Sequence, residues 1–385
     1  MTQTAIIGTG MTAVGEHWSS SLRELAIEAG SIALNNANTQ QVDAIYIANS
    51  YASTFNSQTQ LGPLLADALN LRGCEAVTIE AGNASGGMAL HAAHQAVLSG
   101  EIETALVLGV EKITDIVAGG RVKALTISLD ADEEAIHGAT LPSLAALLMR
   151  RYMYEYGITL DAFEGFSINA HNNGKKNPFA MYRNVIKAGA FANAPMIAEP
   201  ISLFDSAPDG DGAAAVVITS LERAEDLIAK PVKIAGSGAA TDTLALQGRT
   251  HPLYLEAVSR STQKALKQAR LTLQDIHSIE LHDAFTILAV LSLEAMGLSD
   301  LGHGWEWAMN MGEQISLMGK LPICTFGGLK SRGNAAGASG VYQAVEAVLQ
   351  LRGEAEANQI ATPTNILIQN LGGLGSTAVT HILQI

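Results

Sequence analysis

Short β-rich runs alternate with helical patterns over the first 110 residues, and this alternation constrains the fold more than any other feature of the chain. Strands are predicted at residues 5–9, 43–49, 76–80 and 104–109, with helices between them. Strands separated by helices form a parallel sheet that helices cover on both faces. The sequence therefore predicts an α/β fold.

Composition limits the partners of such a fold. The chain has 385 residues, 48% of them hydrophobic, and a net charge of −14. The charge argues against nucleic acid, because phosphate backbones are bound by clustered Lys and Arg. Cys74 and Cys324 are too few for a disulfide framework and lack metal-ligand spacing. Neither a signal-peptide pattern nor an apolar run of about 18 residues occurs, so we expect a cytoplasmic protein that binds neither metal nor membrane.

The chain is predicted to divide into two related halves. Residues 1–230 form the first half, in which an irregular stretch at about 112–200 indicates an inserted loop domain. Residues 231–385 form the second. Residues 6–10 and 234–238 both end a strand with Gly-x-Gly, and Ala-Ser-Gly opens a helix in each half. These matches indicate an internal duplication, with a five-stranded mixed sheet in each half. Residues 322–326 are predicted as one strand of the second half.

A tight turn follows the third predicted strand. Residues 78–90 indicate a strand that passes through an Ala-Gly turn into a helix, with Asn83 at the turn. Helix N-termini present backbone N–H groups that can polarise a carbonyl group. Asn83 is also compatible with a simpler role as the N-cap of this helix.

Several runs, in order along nearly the whole chain, resemble the thiolase superfamily of the sterol-carrier-protein and archaeal type. Besides the Asn83 turn, the runs are residues 138–144, 149–157, 170–178, 208–215, 282–285, 326–340 and 370–373. The resemblance implies a thiolase fold, in which two duplicated halves form five αβαβα layers. It also implies a coenzyme A thioester as substrate, no permanently bound cofactor, and a homodimer or tetramer.

The resemblance implies roles for individual residues. Asn83 takes the position of the family's nucleophilic cysteine, and its backbone N–H with that of Gly372 or Gly373 would bind the thioester oxygen. Asn334 takes the position of the histidine that activates the nucleophile. Leu371 takes the position of a second cysteine that some members carry. Ordinary thiolysis is not expected, because that route needs a thiolate and a base.

The two asparagines share a chemical property with consequences for function. Both are neutral at all pH values, and both can hydrogen-bond an enolate or thioester oxygen without a covalent step. His282 matches the family's polar residue that polarises the second substrate's carbonyl, and beside Asp283 it is the acid/base candidate. A buried structural histidine is the alternative for His282.

Other motifs indicate less. Lys330, Ser331 and Arg332 lie in a run without P-loop order and are expected to meet a CoA phosphate or to face solvent. Gly8 and Gly10 begin a dinucleotide fingerprint whose third glycine is missing, which disfavours NAD. The Asp209 run lacks the ligands of a calcium loop and is interpreted as a turn.

Three histidines have open interpretations. His91 and His94 lie three apart on one predicted helix, which suits a metal, but without a third ligand a core or interface role is favoured. His137 either reaches the cavity or is an exposed loop histidine.

Two classes of function remain. The first is an enzyme that stabilises an enolate of an acyl-CoA and forms or cleaves a carbon–carbon bond, as an acyltransferase or an aldolase. The second is a catalytically silent subunit that binds CoA esters or acts as a scaffold. In either case a small acyl-CoA-binding OB-fold subunit is an expected partner.

Overall fold

The computed structural model describes residues 3–187 and 189–385. The strands are β1 (Thr4–Met11), β2 (Ala44–Ala48), β3 (Glu75–Ile79), β4 (Thr104–Glu111), β5 (Met196–Ala198), β6 (Ile201–Ser202), β7 (Gly212–Ser220), β8 (Val232–Thr241), β9 (Ser278–Glu280), β10 (Asn365–Gly372) and β11 (Thr377–Gln384). The helices are α1 (Leu22–Asn36), α2 (Ala52–Phe55), α3 (Leu61–Ala68), α4 (Ser85–Ser99), α5 (Ala118–Leu125), α6 (Leu141–Tyr156), α7 (Glu164–Gly174), α8 (Leu221–Leu227), α9 (Glu256–Ala269), α10 (Thr286–Met296), α11 (Met309–Gly312) and α12 (Ser339–Arg352).

Nine strands are hydrogen-bonded in the order β3-β2-β4-β7-β1-β8-β11-β10-β9. The first five belong to the N-terminal half, in which β2 is parallel to β3 and β4, and β7 is antiparallel to β4 and β1. The last four belong to the C-terminal half, in which β10 is parallel to β9 and antiparallel to β11. The halves meet where β1 and β8 pair at Ala5 with Lys233 and Ile6 with Val232.

The C-terminal half differs from the expected five strands. The predicted strand at residues 322–326 forms a single parallel bridge, from Ile323 to Ile279. The chain turns away directly afterwards, because Cys324 has a φ of 52° and Gly327 a φ of 103°. Left-handed backbone of this kind cannot continue an extended strand.

The helices form layers with the two halves of the sheet. Helices α1 and α3 cover one face of the N-terminal half, and α9 covers one face of the C-terminal half, with α10 beside it. Helices α4 and α12 lie between the halves, since α4 contacts both β4 and β11 and α12 contacts both β7 and β10. The result is an αβαβα arrangement, which confirms the predicted thiolase fold.

The Gly-x-Gly pattern that the two halves share lies inside β1 and β8, where helices pack closely on the strands. A Cβ atom on Gly8 would lie 2.2 Å from the carbonyl oxygen of Ala33 in α1. A Cβ atom on Gly236 would lie 2.1 Å from the carbonyl oxygen of Ala265 in α9. The same close approach of helix to strand therefore occurs once in each half.

The segment between β4 and β7 packs on the C-terminal half. Its Tyr152, Phe163 and Phe166 are buried in the same hydrophobic core as α10. Helix α7 contacts a π-helical turn at Gly328–Arg332. This packing brings the segment that the sequence indicated as an insertion against the runs at residues 282–285 and 326–340, and a cavity lies between them.

Helix α10 is buried along its whole length. No helix in the described part of the chain combines the length and the apolar character that crossing a lipid bilayer requires.

Candidate active site

The turn at Asn83 is fixed by hydroxyl groups. The Oγ of Ser85 accepts a hydrogen bond from the Ala81 N–H at 2.9 Å and donates to the Gly82 carbonyl at 2.6 Å. Gly82 has a φ of 56°, which favours glycine. Helix α4 begins at Ser85 and its N-cap is Ala84. The N-cap interpretation of Asn83 was therefore wrong: Asn83 precedes the cap.

A buried carboxyl group is linked to this turn through hydrogen bonds of Ser50. The Ser50 hydroxyl donates to the Gly82 carbonyl at 2.6 Å. The Glu111 carboxyl accepts hydrogen bonds from the backbone N–H groups of Ser50 and Gly337. Glu111 is fully buried, and burial raises its pKa to about 8. It thereby ties the turn to the residues that precede α12.

The loop at Gly372 and Gly373 lies directly against the turn. A Cβ atom on Gly372 would lie 2.4 Å from the Ala81 carbonyl oxygen, and one on Gly82 would lie 3.5 Å from the Gly373 nitrogen. Gly373 also has a φ of 55°. Backbone can approach this closely only without side chains. Leu371, in contrast, is fully buried in the core.

The two asparagines singled out by the sequence contact each other. The Asn83 Nδ2 lies 3.4 Å from the Asn334 Oδ1. The same oxygen accepts from the Ala336 N–H at 3.1 Å and from the Ser339 hydroxyl at 3.3 Å. Because these donors surround Oδ1, the NH₂ group of Asn334 points the other way. The Asn334 backbone is held in turn by the Pro208 carbonyl at 2.9 Å.

A cavity of about 600 Å³ contains both asparagines in its wall, together with Gly373. Most of the remaining wall is apolar. Its larger apolar side chains are Leu125, Leu141, Ile197, Leu203, Phe204 and Phe285. A volume of this size accommodates a small-molecule ligand, and a mainly apolar wall with a few placed polar groups is typical of such sites.

Asp209 is a cavity residue that the sequence reasoning missed. Residues 209 and 334 form a parallel β-bridge, so their side chains lie next to each other on one face. Both line the cavity, and the Arg121 Nε lies 3.6 Å from the Asp209 carboxylate. Burial raises the pKa of Asp209, while Arg121 opposes the shift. The signal was confined to tertiary structure, because the Asp209 motif alone predicted only a turn.

His282 is sealed in the interior and is absent from the cavity wall. It is 0% exposed, and its Nδ1 lies 3.2 Å from the Asn370 side-chain amide. Its Nε2 has no hydrogen-bond partner within residues 3–187 and 189–385. Burial, with the charge of Arg332, lowers the pKa of His282 to about 3. The neighbouring Asp283 instead accepts the Leu329 N–H at 2.6 Å.

The three residues expected to meet a CoA phosphate are buried. Arg332 is 1% exposed and forms an ion pair with Glu346 at 2.7 Å. The Ser331 hydroxyl donates to the Tyr182 carbonyl at 2.7 Å. Arg332 and Ser331 therefore have partners in the core, and neither lines the cavity. Lys330 does line it, with its ammonium group bonded to main-chain carbonyls.

The other three histidines that the sequence singled out lie outside the cavity wall. His91 contacts the Ser237 hydroxyl and His94 the Thr4 hydroxyl, each at 2.7 Å. No group of three metal-ligating side chains occurs in the part of the chain that the structure describes. His137 is exposed and does not line the cavity.

Comparisons with known proteins agree with this geometry. Residues 4–194 match the thiolase N-terminal domain family, and residues 238–385 match the thiolase C-terminal domain-like family. The acetyl-CoA acetyltransferase of Methanothermobacter thermautotrophicus is 37% identical over 100% of both chains. The chain belongs to the thiolase superfamily.

Two further relatives carry other activities in their names. The thiolase-family chain is 29% identical to benzoylsuccinyl-CoA thiolase subunit BbsB of Thauera aromatica, over 97% of this chain and 95% of the relative. A solved structure of the Ltp2–ChsH2(DUF35) aldolase superposes with a TM-score of 0.84 at 25% identity. That match covers 99% of this chain and 97% of the other.

Proposed function

We propose that this thiolase-superfamily chain is an enzyme that forms or cleaves a carbon–carbon bond next to a CoA thioester, in the manner of an aldolase and without an acyl-enzyme. The observation that carries the proposal is the Asn83–Asn334 contact in the wall of the cavity. A carboxamide does not act as an acyl-accepting nucleophile, whereas a thiolate does. Its N–H groups are well suited to an oxygen that gains negative charge.

The thioester oxygen binds at the asparagine end of the cavity. The NH₂ group of Asn334 points away from the donors that surround its Oδ1, so it is available to this oxygen. The Asn83 amide and the backbone at Gly373 complete the site. Donors that are already in place stabilise an enolate without reorganisation, which is the main source of such catalysis.

Asp209 transfers the proton at the carbon next to the thioester. In the condensation direction, the Asp209 carboxylate takes this proton and the C–H electron pair passes into the thioester, which gives the enolate. The enolate carbon then bonds to the carbonyl carbon of a second substrate, and the electron pair of the C=O double bond moves to its oxygen. That oxygen takes a proton from an acidic group of the cavity wall and becomes a hydroxyl group. Cleavage of a 3-hydroxyacyl-CoA is the reverse sequence. We assign this role to Asp209 rather than to His282, because Asp209 lines the cavity and His282 does not.

The comparisons support a CoA ester as substrate and an aldolase as the reaction type. Acetyl-CoA acetyltransferase and benzoylsuccinyl-CoA thiolase are named for CoA thioesters. The structural relative is named as an aldolase and as a complex with a second chain. The second chain of that complex supports a partner subunit, which we propose to be a small acyl-CoA-binding OB-fold protein. A homodimer or tetramer is proposed from the resemblance alone.

A silent CoA-ester-binding or scaffolding subunit is the second candidate. It is favoured by one observation, which is that Asn83 offers no nucleophile at the turn. The aldolase proposal requires no nucleophile at the turn. It also assigns a role to the polar groups in the cavity wall.

The test is an assay of carbon–carbon cleavage. The protein, alone and with any OB-fold protein encoded beside its gene, is incubated with 3-hydroxyhexanoyl-CoA, and acetyl-CoA and butanal are measured. We expect both products in equal amounts without added CoA, and no thiolysis of acetoacetyl-CoA. Inactivity on hydroxyacyl-CoA substrates in both preparations would overturn the aldolase proposal in favour of the silent subunit.

A further inference from the structure

A second pair of polar side chains lies in the wall of the same cavity. Lys330 belongs to the π-helical turn at Gly328–Arg332, and His171 lies in the last turn of α7. Both line the cavity, and each is only 5% exposed. They lie around the Phe204 ring, whose centroid is 5.9 Å from the Lys330 Nζ and 6.3 Å from the His171 ring centroid.

The Lys330 nitrogen is held by two main-chain oxygens. It donates to the Leu203 carbonyl at 2.8 Å and to the Ser206 carbonyl at 2.6 Å. These bonds use two of the three protons of an ammonium group, or both protons of a neutral amine. The remaining position on the nitrogen is thus a donor in the charged form and a lone pair in the neutral form. Burial lowers the pKa of Lys330 to about 8, so both forms are accessible near neutral pH.

His171 lines the same cavity, and one of its ring nitrogens is an acceptor without a partner among the described residues. Its Nδ1 lies 2.8 Å from the Asn184 carbonyl oxygen, and since a carbonyl only accepts, Nδ1 carries the proton. The neutral ring therefore has its lone pair on Nε2. That atom is buried and has no hydrogen-bond partner among the described residues. Burial lowers the pKa of His171 to about 4, which keeps the ring neutral at physiological pH.

A donor and an acceptor in the wall of one cavity can together recognise a hydroxyl group. A hydroxyl oxygen accepts from an ammonium group, and its proton donates to an imidazole nitrogen. A saturated acyl chain offers neither contact, so it would leave the third position on the Lys330 nitrogen and the His171 Nε2 unsatisfied. Apolar side chains form most of the rest of the wall, so this pair can select one oxygen on an otherwise apolar acyl group.

We propose that Lys330 and His171 form an oxygen subsite that binds the hydroxyl group on carbon 3 of a 3-hydroxyacyl-CoA, and that Lys330 exchanges the proton of that hydroxyl. The inference rests on the proposed aldolase function. In cleavage, the hydroxyl proton passes to the Lys330 amine, the bond between carbons 2 and 3 breaks, and its electron pair enters the thioester to give the enolate. Asp209 then protonates carbon 2. Exchange with water restores both side chains.

Other charged groups surround this subsite and set its pH range. Asp205 and Asp283 raise the pKa of Lys330 against the effect of burial. The other charged or titratable side chains of the cavity wall are Arg121, His171, Tyr182 and Asp209. Because the reaction needs one proton shared between Asp209 and Lys330, activity is expected to fall above about pH 8 in both directions.

Binding measurements test the subsite. Isothermal titration calorimetry compares 3-hydroxyhexanoyl-CoA with hexanoyl-CoA, whose chains differ only by the hydroxyl group. We expect wild type to bind the hydroxylated ester about tenfold more tightly or better. Lys330→Met and His171→Asn are expected to lose this preference while binding hexanoyl-CoA as wild type does. His171→Asn keeps a donor for the Asn184 carbonyl and is therefore expected to fold. It tests the subsite even if Lys330→Met is unstable.

Matched controls come from exposed residues of the same types. Lys320→Met and His303→Asn alter residues outside the cavity wall and are expected to keep the preference. Lys330→Arg keeps a charged donor but cannot exchange a proton near neutral pH, so it should keep the preference and lose about 10²–10⁴-fold in kcat. Equal affinity of wild type for the two esters would overturn the subsite alone. Failure of wild type to bind either ester would overturn the proposed function as well.

Discussion

Two pairs of polar side chains line one cavity and differ in whether they can exchange a proton. The Asn83 and Asn334 amides are neutral at every pH and are hydrogen-bonded to each other, and Asn334 also accepts from the Ala336 N–H. Lys330 and His171 are titratable, and main-chain carbonyls orient them. The first pair can hold an oxygen that gains charge, whereas the second can exchange a proton with one. A cavity with Asn83 at its turn therefore still contains groups that could take part in the proposed reaction.

The largest expected effect falls on Asp209, which lies beside the neutral pair. Asp209→Asn removes the carboxylate that we assign to the proton next to the thioester, so kcat should fall by about 10²–10⁴-fold. Asp226→Asn, which alters an exposed carboxylate on α8, is the control and should leave kcat unchanged. Steady-state kinetics with 3-hydroxyhexanoyl-CoA would measure both. Full activity of Asp209→Asn would remove this residue from the mechanism.

A somewhat smaller loss is expected from the asparagine pair itself. Asn334→Asp keeps the oxygen that accepts from Ala336 and Ser339 but replaces the NH₂ group. Loss of one oxyanion donor costs about 10²–10³-fold in kcat. The loss should appear mainly in kcat, since the donor acts on the enolate more than on the bound ester. An effect confined to KM would contradict the assigned role.

Restoring the family's nucleophile should restore little. Asn83→Cys alone leaves Asn334 where the resemblance places a histidine, so the thiol keeps a pKa near ~8.5 and little thiolate forms at neutral pH. Thiolysis of acetoacetyl-CoA should remain close to background. Adding Asn334→His should raise the rate by more than the two single changes together, because nucleophile and base act as a unit. Thiolysis by Asn83→Cys at the rate of its double variant would be evidence against this account.

The smallest kinetic effect is expected at His282. His282→Asn should change kcat less than about twofold and should instead lower the free energy of unfolding, by about 1–3 kcal/mol for an altered buried polar group.

The pH dependence of stability gives a second reading of the same variant. Burial lowers the pKa of His282 from 6.5 to about 3. The neutral ring therefore contributes stability that is present above pH 6.5 and is lost as the pH falls toward about 3. His282→Asn should flatten this part of the stability curve, measured by urea unfolding from pH 7 to pH 4. A large loss of kcat with unchanged stability would return His282 to the mechanism.

The fold could be predicted further than the site. Alternating strands and helices predicted the α/β class. The repeated Gly-x-Gly pattern predicted the duplication, because close packing of α1 on β1 and of α9 on β8 imposes the same requirement twice. The expected strand at residues 322–326 was cut to one bridge by the left-handed backbone at Cys324. Such a turn has no sequence signal when the residue is not glycine.

The site divided in the same way. The resemblance assigned Asn83 and Asn334 to positions of one site, and their side chains contact each other in the structure. The places of Asp209 and His171 depend on loops that meet only in tertiary structure. Lys330 was expected to face a phosphate or solvent, but its bonds to the Leu203 and Ser206 carbonyls place it in the cavity wall. Charge and sequence position alone cannot separate these environments.

We propose that the cavity binds a CoA ester without forming a covalent bond to it. The direct measurement is made on the wild-type protein with acetyl-CoA, by intact-mass spectrometry after incubation and by calorimetry on the same sample. We expect saturable binding by calorimetry and no gain in protein mass equal to an acetyl group. An acetyl adduct on the protein, or no binding of any CoA ester, would contradict it.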